Sequence, residues 1–193
     1  RFDALADMFG VQKVRKTANE YYLVAAGLPD AEILPTAEQR ACGIAGFGFA
    51  MINIMNIINI ELAEYGISFS CQVGIHSGSA IAGIIGHKTF QYDLCGDAVN
   101  TAARMCSYSK PSHINISEAT YQLLNHRYGA VPRGELNVKG KGKMQTYFLL
   151  NMPIETQEAL AVQQHQNAVT MSFVDRWARK GNKGTNGSTK RLN

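Results

Sequence analysis

The sequence predicts an α+β domain with a largely antiparallel sheet and with its helices on one face of that sheet. Segments with the alternating polarity of strands come in pairs joined by short turns. Other strand-like segments are followed directly by segments with helical periodicity, and no unit repeats along the chain. This mixed order is typical of an α+β architecture.

The first third of the chain predicts a helix, a pair of strands and a second, long helix. Phe2, Leu5 and Phe9 share one face of the opening helix, and Gly10 ends it. Thr36 and Gln39 have the spacing of a capping box at the start of the long helix. We expect these elements at residues 1–9, 11–17, 21–26 and 36–66.

The long helix is apolar between residues 41 and 60 except for Asn53, Asn56 and Asn59. Their spacing predicts one wet face on an otherwise buried helix. An interfacial membrane helix is the alternative, and the absence of Lys and Arg from this segment argues against it. No stretch reaches the roughly 18 unbroken apolar residues that a membrane span needs.

The remainder of the chain predicts shorter strands and helices. Asp97 is placed to cap the first of these helices, and a turn rich in Lys and Gly joins the last two strands as a hairpin. We expect strands at residues 68–75, 79–85, 113–116, 134–138 and 145–150, and helices at 97–105 and 117–124, with 92–96 leading into the first helix.

Length and composition predict one domain followed by a tail. The chain has 193 residues, of which 46% are hydrophobic. We expect the domain at residues 1–151 and the tail at 152–193, helical from about residue 154 to 177 and then disordered and basic. The tail holds six Lys or Arg against three Asp or Glu. No aromatic residue lies among the charged residues of 181–193, so we expect no nucleic-acid binding. Because the chain opens at Arg1 inside an amphipathic segment, we expect it to be a fragment.

The four cysteines are widely spaced and form no CxxC pair. Cys42, Cys71 and Cys106 lie in apolar stretches that predict burial. Reduced thiols are therefore expected rather than disulfides.

Four segments carry motifs, and their order along the chain matters as much as their content. They are VRKTANEYY (14–22) closed by GLP (27–29), VGIHSG (73–78) followed by AGIIG (82–86), YDLCGDAVNTAARM (92–105), and RGELNVKGKG (133–142) followed by TYF (146–148). In this order the segments resemble the catalytic domain of class III nucleotidyl cyclases. Together they span residues 11–150, and the third is the most specific.

The resemblance implies a ferredoxin-like cyclase fold whose first strand would precede Arg1. It also implies a reaction in which the ribose 3′-hydroxyl of a nucleoside triphosphate attacks the α-phosphate and expels pyrophosphate. The family's site forms at a two-fold dimer interface and uses two metal ions, Mg²⁺ or Mn²⁺. The setting it implies is intracellular signalling by a cytosolic domain of a larger, membrane-bound protein.

The resemblance also assigns roles to side chains. Asn100 would orient the ribose, and Arg104 would stabilise charge that develops at the α-phosphate. The two residues are four apart, so they project from one face of a helix. Lys139 would contact the triphosphate, whereas Lys141 and Lys143 are interpreted as solvated lysines of a hairpin turn.

Two positions predict the purine. Family members that use ATP have Lys before the threonine of the first motif and Asp after the tyrosine of the third, and those that use GTP have Glu and Cys. This chain has Lys16 and Asp93. A cation and a carboxylate complement the N1 acceptor and N6 donor of adenine. The resemblance therefore predicts an adenylyl cyclase that converts ATP to cyclic AMP; a guanylyl cyclase with unusual base-reading residues is the alternative.

The metal site departs from the family pattern. One of its two aspartates would lie upstream of Arg1, and the second is replaced by Glu20, preceded by Asn19 in place of glycine. Glu20 could still bind the metal in a homodimer with two sites. Alternatively, the chain is the substrate-reading half of a heterodimer whose partner domain supplies both aspartates. A cyclase-like domain that regulates without catalysing is a third interpretation.

Overall fold

The computed structural model describes residues 2–16, 21–29, 32–85, 90–124 and 127–153, and the compact unit to which they belong ends at Pro153. Its helices are α1 (Phe2–Met8), α2 (Ala37–Leu62), α3 (Asp97–Ser107) and α4 (Glu118–Leu124). Its strands are β1 (Val11–Lys16), β2 (Tyr22–Ala26), β3 (Val73–Ile75), β4 (Ile81–Ile85), β5 (Gln91–Cys95), β6 (Ile114–Ser117), β7 (Gly129–Val138) and β8 (Gly142–Asn151). Glu20 and the helix and disordered end that we predict for the tail lie outside the described residues.

Local sequence explains where α1 and α2 begin and end. Gly10 has a φ of +62° directly after α1, as a terminating glycine requires. At the start of α2 the Gln39 N–H donates to Thr36 Oγ1 at 3.1 Å, and the Thr36 N–H donates to Gln39 Oε1 at 3.0 Å. The predicted capping box is therefore confirmed. The helix continues into a short 3₁₀ turn, which Gly66 ends.

The second half of α2 differs from its prediction. Asn53 and Asn56 are exposed as expected, and Asn59 is half-buried because its side chain bonds both the N–H and the C=O of Phe69 at 2.7 Å. However, Ile57 is 37% exposed and Ile60 is 78% exposed, so the helix is not otherwise buried. By length and composition alone, Ala37–Tyr65 is the one segment of the described residues that could cross a membrane.

The strands form one four-stranded sheet and two separate hairpins. The sheet has the order β3-β6-β8-β7, in which only the β3–β6 pair is parallel. The hairpins are β1–β2 and β4–β5. An α+β fold with largely antiparallel sheets is therefore confirmed.

The helices lie on both faces of the four-stranded sheet, which corrects the prediction that they share one face. A Cβ at Gly48 of α2 would touch Val73 and Ile114, whereas a Cβ at Gly74 would strike the backbone of Cys106 in α3. Because Val73 and Gly74 are consecutive on β3, they face opposite sides of the sheet. Helix α2 therefore covers one side and α3 the other.

The contact at Gly74 makes a stability prediction. A Cβ there would lie 1.9 Å from the Cys106 backbone nitrogen, and backbone cannot move aside as a flexible side chain can. We expect Gly74→Ala to lower the free energy of unfolding by about 3 kcal/mol, measured by urea denaturation. Gly83→Ala on β4 is the matched control, because nothing lies within 4 Å of its added Cβ. Equal stability of the two variants would contradict the packing of α3 on β3.

Other predicted boundaries are also wrong. Strand β7 begins at Gly129 and not at residue 134, and the segment expected only to lead into α3 forms strand β5. Strand β3 spans only Val73–Ile75 instead of 68–75, because only these three residues pair with β6. Phe69, within the lost part, is 51% exposed. At α3 the N-cap is Gly96 and not Asp97, which becomes the first helical residue.

The four cysteines are free as expected, but Cys42, Cys71 and Cys106 are half-buried and not fully buried.

Candidate active site

Helix α3 presents two of the predicted site residues. Its inner face is defined by Ala98, Thr101 and Met105, which are buried and have helical spacing. Asn100 is exposed and Arg104 is half-buried, and they lie one helical turn apart outside that buried stripe. Helix α3 therefore carries the Asn100 amide and the Arg104 guanidinium on one face, where both side chains can contact one ligand.

Asp93 lies in the middle of β5, the strand that leads through Gly96 into α3. Its side chain is only 17% exposed. The Leu94 N–H donates to Asp93 Oδ1 at 2.8 Å, and Arg15 Nη1 lies 3.0 Å from Asp93 Oδ2. A carboxylate has about four acceptor positions, so each oxygen retains capacity for one more donor.

Strand β1 carries a β-bulge that the sequence did not predict. Lys13 pairs with Val24 of β2, and Arg15 pairs with Leu23, the next residue back along that strand. Val14 is therefore the extra residue, without a partner of its own. A bulge of this kind changes which side chains face each side of the hairpin.

Arg15 and Lys16 are consecutive and so lie on opposite faces of the hairpin, and the bulge decides which face each one takes. Lys16 pairs with Tyr22, and the face of Tyr22 is also that of Lys13, whose Nζ lies 5.6 Å from the Tyr22 ring centroid. Arg15 points to the other face, where it meets Asp93. Lys16 is exposed and forms no ion pair within the described part of the chain.

The β7–β8 turn is attached to the start of α3. Lys141 Nζ forms an ion pair with the carboxylate of Asp97. Lys139 is exposed two residues earlier, before Gly140, whose φ of +80° lets the turn close. Lys141 and Lys143, interpreted as solvated lysines, both form exposed ion pairs, Lys143 with Glu135 and Lys141 with Asp97. The second of these pairs joins the turn that bears Lys139 to the start of α3. A contact between residues 44 positions apart leaves no signal in sequence spacing.

His76 lies beside the same ion pair and was not singled out from the sequence. Its Nδ1 is 2.8 Å from Ser117 Oγ. Burial of the ring lowers the pKa of His76, and the nearby Lys141 cation lowers it further while Asp97 partly offsets this effect. The imidazole is therefore neutral at pH 7 and adds no charge next to Lys141.

Asn100 and Arg104 thus lie one turn apart on α3, and Asp93 lies on β5, the strand that precedes this helix in the chain. Lys139 lies on the turn whose Lys141 pairs with Asp97 at the start of α3. The structure does not bring Lys16 to Asp93; Arg15 occupies that place. Within the described ranges, no three His, Cys, Asp or Glu side chains lie close enough to hold a metal ion. Metal binding by this chain therefore stays a prediction on Glu20, and we derive no chemical step through a metal.

Comparison with known proteins identifies the family of this domain. The family described as the adenylate and guanylate cyclase catalytic domain matches residues 1–151. The guanylate cyclase soluble subunit beta-2 of Rattus norvegicus is 39% identical over 152 residues, which are 78% of this chain and 21% of that protein. The chain therefore spans about a fifth of that relative's length. Curated relatives include soluble and membrane guanylyl cyclases.

Two solved structures are similar in both sequence and fold. The guanylate cyclase domain of RhGC from Catenaria anguillulae in complex with GTP is 35% identical with a TM-score of 0.67, and the match covers 78% of each chain. The catalytic core of a rhodopsin-guanylyl cyclase with converted specificity, in complex with ATPalphaS, is 34% identical with a TM-score of 0.63 over 77% of this chain and 76% of that one. The chain belongs to the adenylate and guanylate cyclase catalytic domain family, that is, to the class III nucleotidyl cyclases.

Proposed function

We propose that this domain forms part of a guanylyl cyclase, which converts GTP to 3′,5′-cyclic GMP and pyrophosphate. The observation that carries the proposal is that Asn100 and Arg104 lie one turn apart on α3, while β5, the strand that precedes this helix, carries the largely buried carboxylate of Asp93. Cyclisation requires a positioned ribose, charge stabilisation at the α-phosphate and a group that reads the base. These three side chains offer one group for each task.

Arg104 is the proposed stabiliser of the transition state. Its planar guanidinium keeps its charge and can donate to two oxygens at once. Charge that develops on the α-phosphate and the leaving pyrophosphate would therefore be met by a fixed cation. Asn100, one turn earlier, can hold the ribose through its amide, and Lys139 is free to approach the triphosphate from the turn that Lys141 ties to α3.

Asp93 is the proposed reader of the purine. Guanine presents two adjacent donors, N1–H and the N2 amino group, and a carboxylate can accept from both. A guanine base placed there satisfies the spare acceptor positions of Asp93. The curated relatives described above are guanylyl cyclases, which favours the same substrate.

ATP is the second candidate substrate, because Lys16 and Asp93 both match the family positions that accompany adenine. One similar solved structure is a guanylyl cyclase core with converted specificity bound to an ATP analogue, so a scaffold of this kind accommodates either purine. The overall likeness to guanylyl cyclases supports GTP better than ATP. The adenylyl cyclase that the sequence predicted is therefore kept as the alternative.

A competition assay separates the two substrates. The intact protein would be given equal concentrations of GTP and ATP with Mn²⁺, and both cyclic products would be quantified. The proposal predicts mostly cyclic GMP, because a buried polar site rejects the base whose donors and acceptors it cannot pair. Mostly cyclic AMP would overturn the choice of GTP and return the reading of the base to Lys16.

The proposed site is completed by a second cyclase domain. Class III cyclase domains use divalent metal ions, and one similar solved structure is described as a non-canonical dimeric guanylyl cyclase domain. The partner is either an identical chain, with Glu20 as a metal ligand, or a different domain that supplies the aspartates. We place the domain in the cytosol, as part of a larger protein that is membrane-bound.

A further inference from the structure

We propose that Arg15, and not its neighbour Lys16, is the cation that reads the base together with Asp93. The inference deepens the proposed function and rests on it. Arg15 would donate to O6 of guanine while Asp93 accepts from N1–H and the N2 amino group. Neither the family motif nor the sequence spacing singles out residue 15.

The bulge at Val14 is the first observation behind this assignment. Side chains that pair across a hairpin share one face of it. Lys16 therefore lies on the face of Tyr22, whose ring stacks on Phe47 of α2 at 6.4 Å, and this is the side away from Asp93. Arg15 is the last residue of β1 that points to the β5 side. Without the extra residue in β1, Lys16 would point to the β5 side and Arg15 to the side of Tyr22. The bulge reverses this arrangement.

The ion pair is the second observation. Arg15 Nη1 lies 3.0 Å from Asp93 Oδ2, and the Arg15 side chain is 36% exposed. A single contact to one oxygen fixes the guanidinium without using up its five donors. The other N–H groups belong to the same guanidinium that is paired with Asp93, and the oxygens of Asp93 keep spare acceptor positions. Donors and acceptors therefore lie side by side, as the Watson–Crick edge of guanine requires.

The third observation is an unsatisfied donor. Arg15 Nε is buried and has no hydrogen-bond partner in the described structure. Buried N–H groups without a partner are rare in native proteins and call for an explanation. A ligand oxygen that draws the guanidinium towards it would satisfy or re-expose this donor. Because arginine commonly donates to guanine O6 and N7 in pairs, guanine offers two acceptors that suit this fork.

The test compares three variants on one strand of the intact protein. Arg15→Met, Lys16→Met and Lys13→Met each replace a cation by an unbranched neutral chain, and Lys13 serves as control because its exposed side chain pairs with Asp3 away from Asp93. We expect Arg15→Met to lower kcat/KM for GTP by about 10- to 100-fold, mainly through KM. Lys13→Met should leave kcat/KM for GTP unchanged. Lys16→Met should lower kcat/KM for GTP less than Arg15→Met does.

An analogue of GTP separates base reading from a purely structural role. 6-Thio-GTP keeps the N1 and N2 donors of guanine but replaces O6 by a weaker acceptor. The wild-type protein should prefer GTP to 6-thio-GTP, Arg15→Met should lose this preference, and Arg15→Lys should restore part of it. If Arg15→Met has the same melting temperature as the wild-type protein and still prefers GTP to 6-thio-GTP, the proposal is overturned. A larger effect of Lys16→Met than of Arg15→Met would also overturn it.

Binding measurements keep this inference separate from the proposed reaction. The affinities of the same variants for GTP and 6-thio-GTP would be measured by calorimetry alongside turnover. Absence of cyclic product from the wild-type protein would contradict the proposed function, while the binding preference would still test Arg15. Loss of the preference in Arg15→Met supports the assignment in both measurements, and its retention contradicts it in both.

Discussion

Replacing Arg104 by alanine is expected to lower kcat for cyclic nucleotide formation by about 10²- to 10³-fold in the intact protein. The guanidinium would act on charge that develops only as the α-phosphate is attacked. Its loss should therefore reduce kcat and leave KM for GTP little changed. Steady-state kinetics with both cyclic product and pyrophosphate measured would check this.

Two further variants control this prediction. Arg104→Lys keeps the charge and loses the planar fork, so it should recover only part of the activity. Lys143→Ala removes an exposed cation that pairs with the exposed Glu135 and should have no effect. An Arg104→Ala protein that raises KM tenfold at unchanged kcat would show that this side chain binds substrate and transition state equally, contrary to the account.

Replacing Asp93 by asparagine is expected to lower kcat/KM for GTP by about 10²- to 10⁴-fold. Asparagine has nearly the same shape, but its NH₂ group would face the donors of guanine. It would also leave Arg15 without its carboxylate partner. The NH₂ group placed opposite the donors of guanine and the unpaired guanidinium of Arg15 both disfavour GTP binding.

The measurement is a comparison of GTP with ITP, which lacks the N2 amino group. The wild-type protein should prefer GTP, because Asp93 accepts from N2, and Asp93→Asn should lose that preference along with most of its activity. Equal use of GTP and ITP by the wild-type protein would contradict the role of Asp93. Circular dichroism and thermal unfolding would confirm that the variant is folded.

Some of this fold could be predicted from local sequence, because the forces that shape it act between near neighbours. Thr36 and Gln39 bond each other's backbone within one turn, so their spacing alone placed the start of α2. Gly10 and Gly66 similarly mark helix ends through their own backbone angles. The order of the motifs predicted the family, which the comparison confirms.

The rest depends on contacts that spacing does not reveal. Residues 68–72 alternate like a strand, but a strand requires a hydrogen-bonded partner, and only Val73–Ile75 has one. Helix α3 packs on the side of the sheet opposite α2 because Gly74 leaves room for its backbone. A glycine within a strand can indicate a close approach, but its position in the sequence does not predict which element approaches.

The candidate site shows the same limit. Asn100 and Arg104 could be placed on one helix face from their spacing alone. The exchange of Arg15 for Lys16 could not, because a bulge at Val14 depends on how β1 registers with β2. The ion pair of Lys141 with Asp97 joins two segments that are distant in sequence. Each of these features alters the site without altering any motif.

The most direct test of the account is whether the intact protein cyclises GTP. The protein, supplied with a partner domain that carries both metal aspartates, would be incubated with GTP and Mn²⁺. Cyclic GMP and pyrophosphate would then be quantified separately from GDP and GMP. The account predicts cyclic GMP and pyrophosphate in equal amounts, with both formed about 10²- to 10³-fold more slowly by Arg104→Ala. Nucleotide binding without any cyclic product would contradict it and would identify the domain as a regulatory relative of the cyclases.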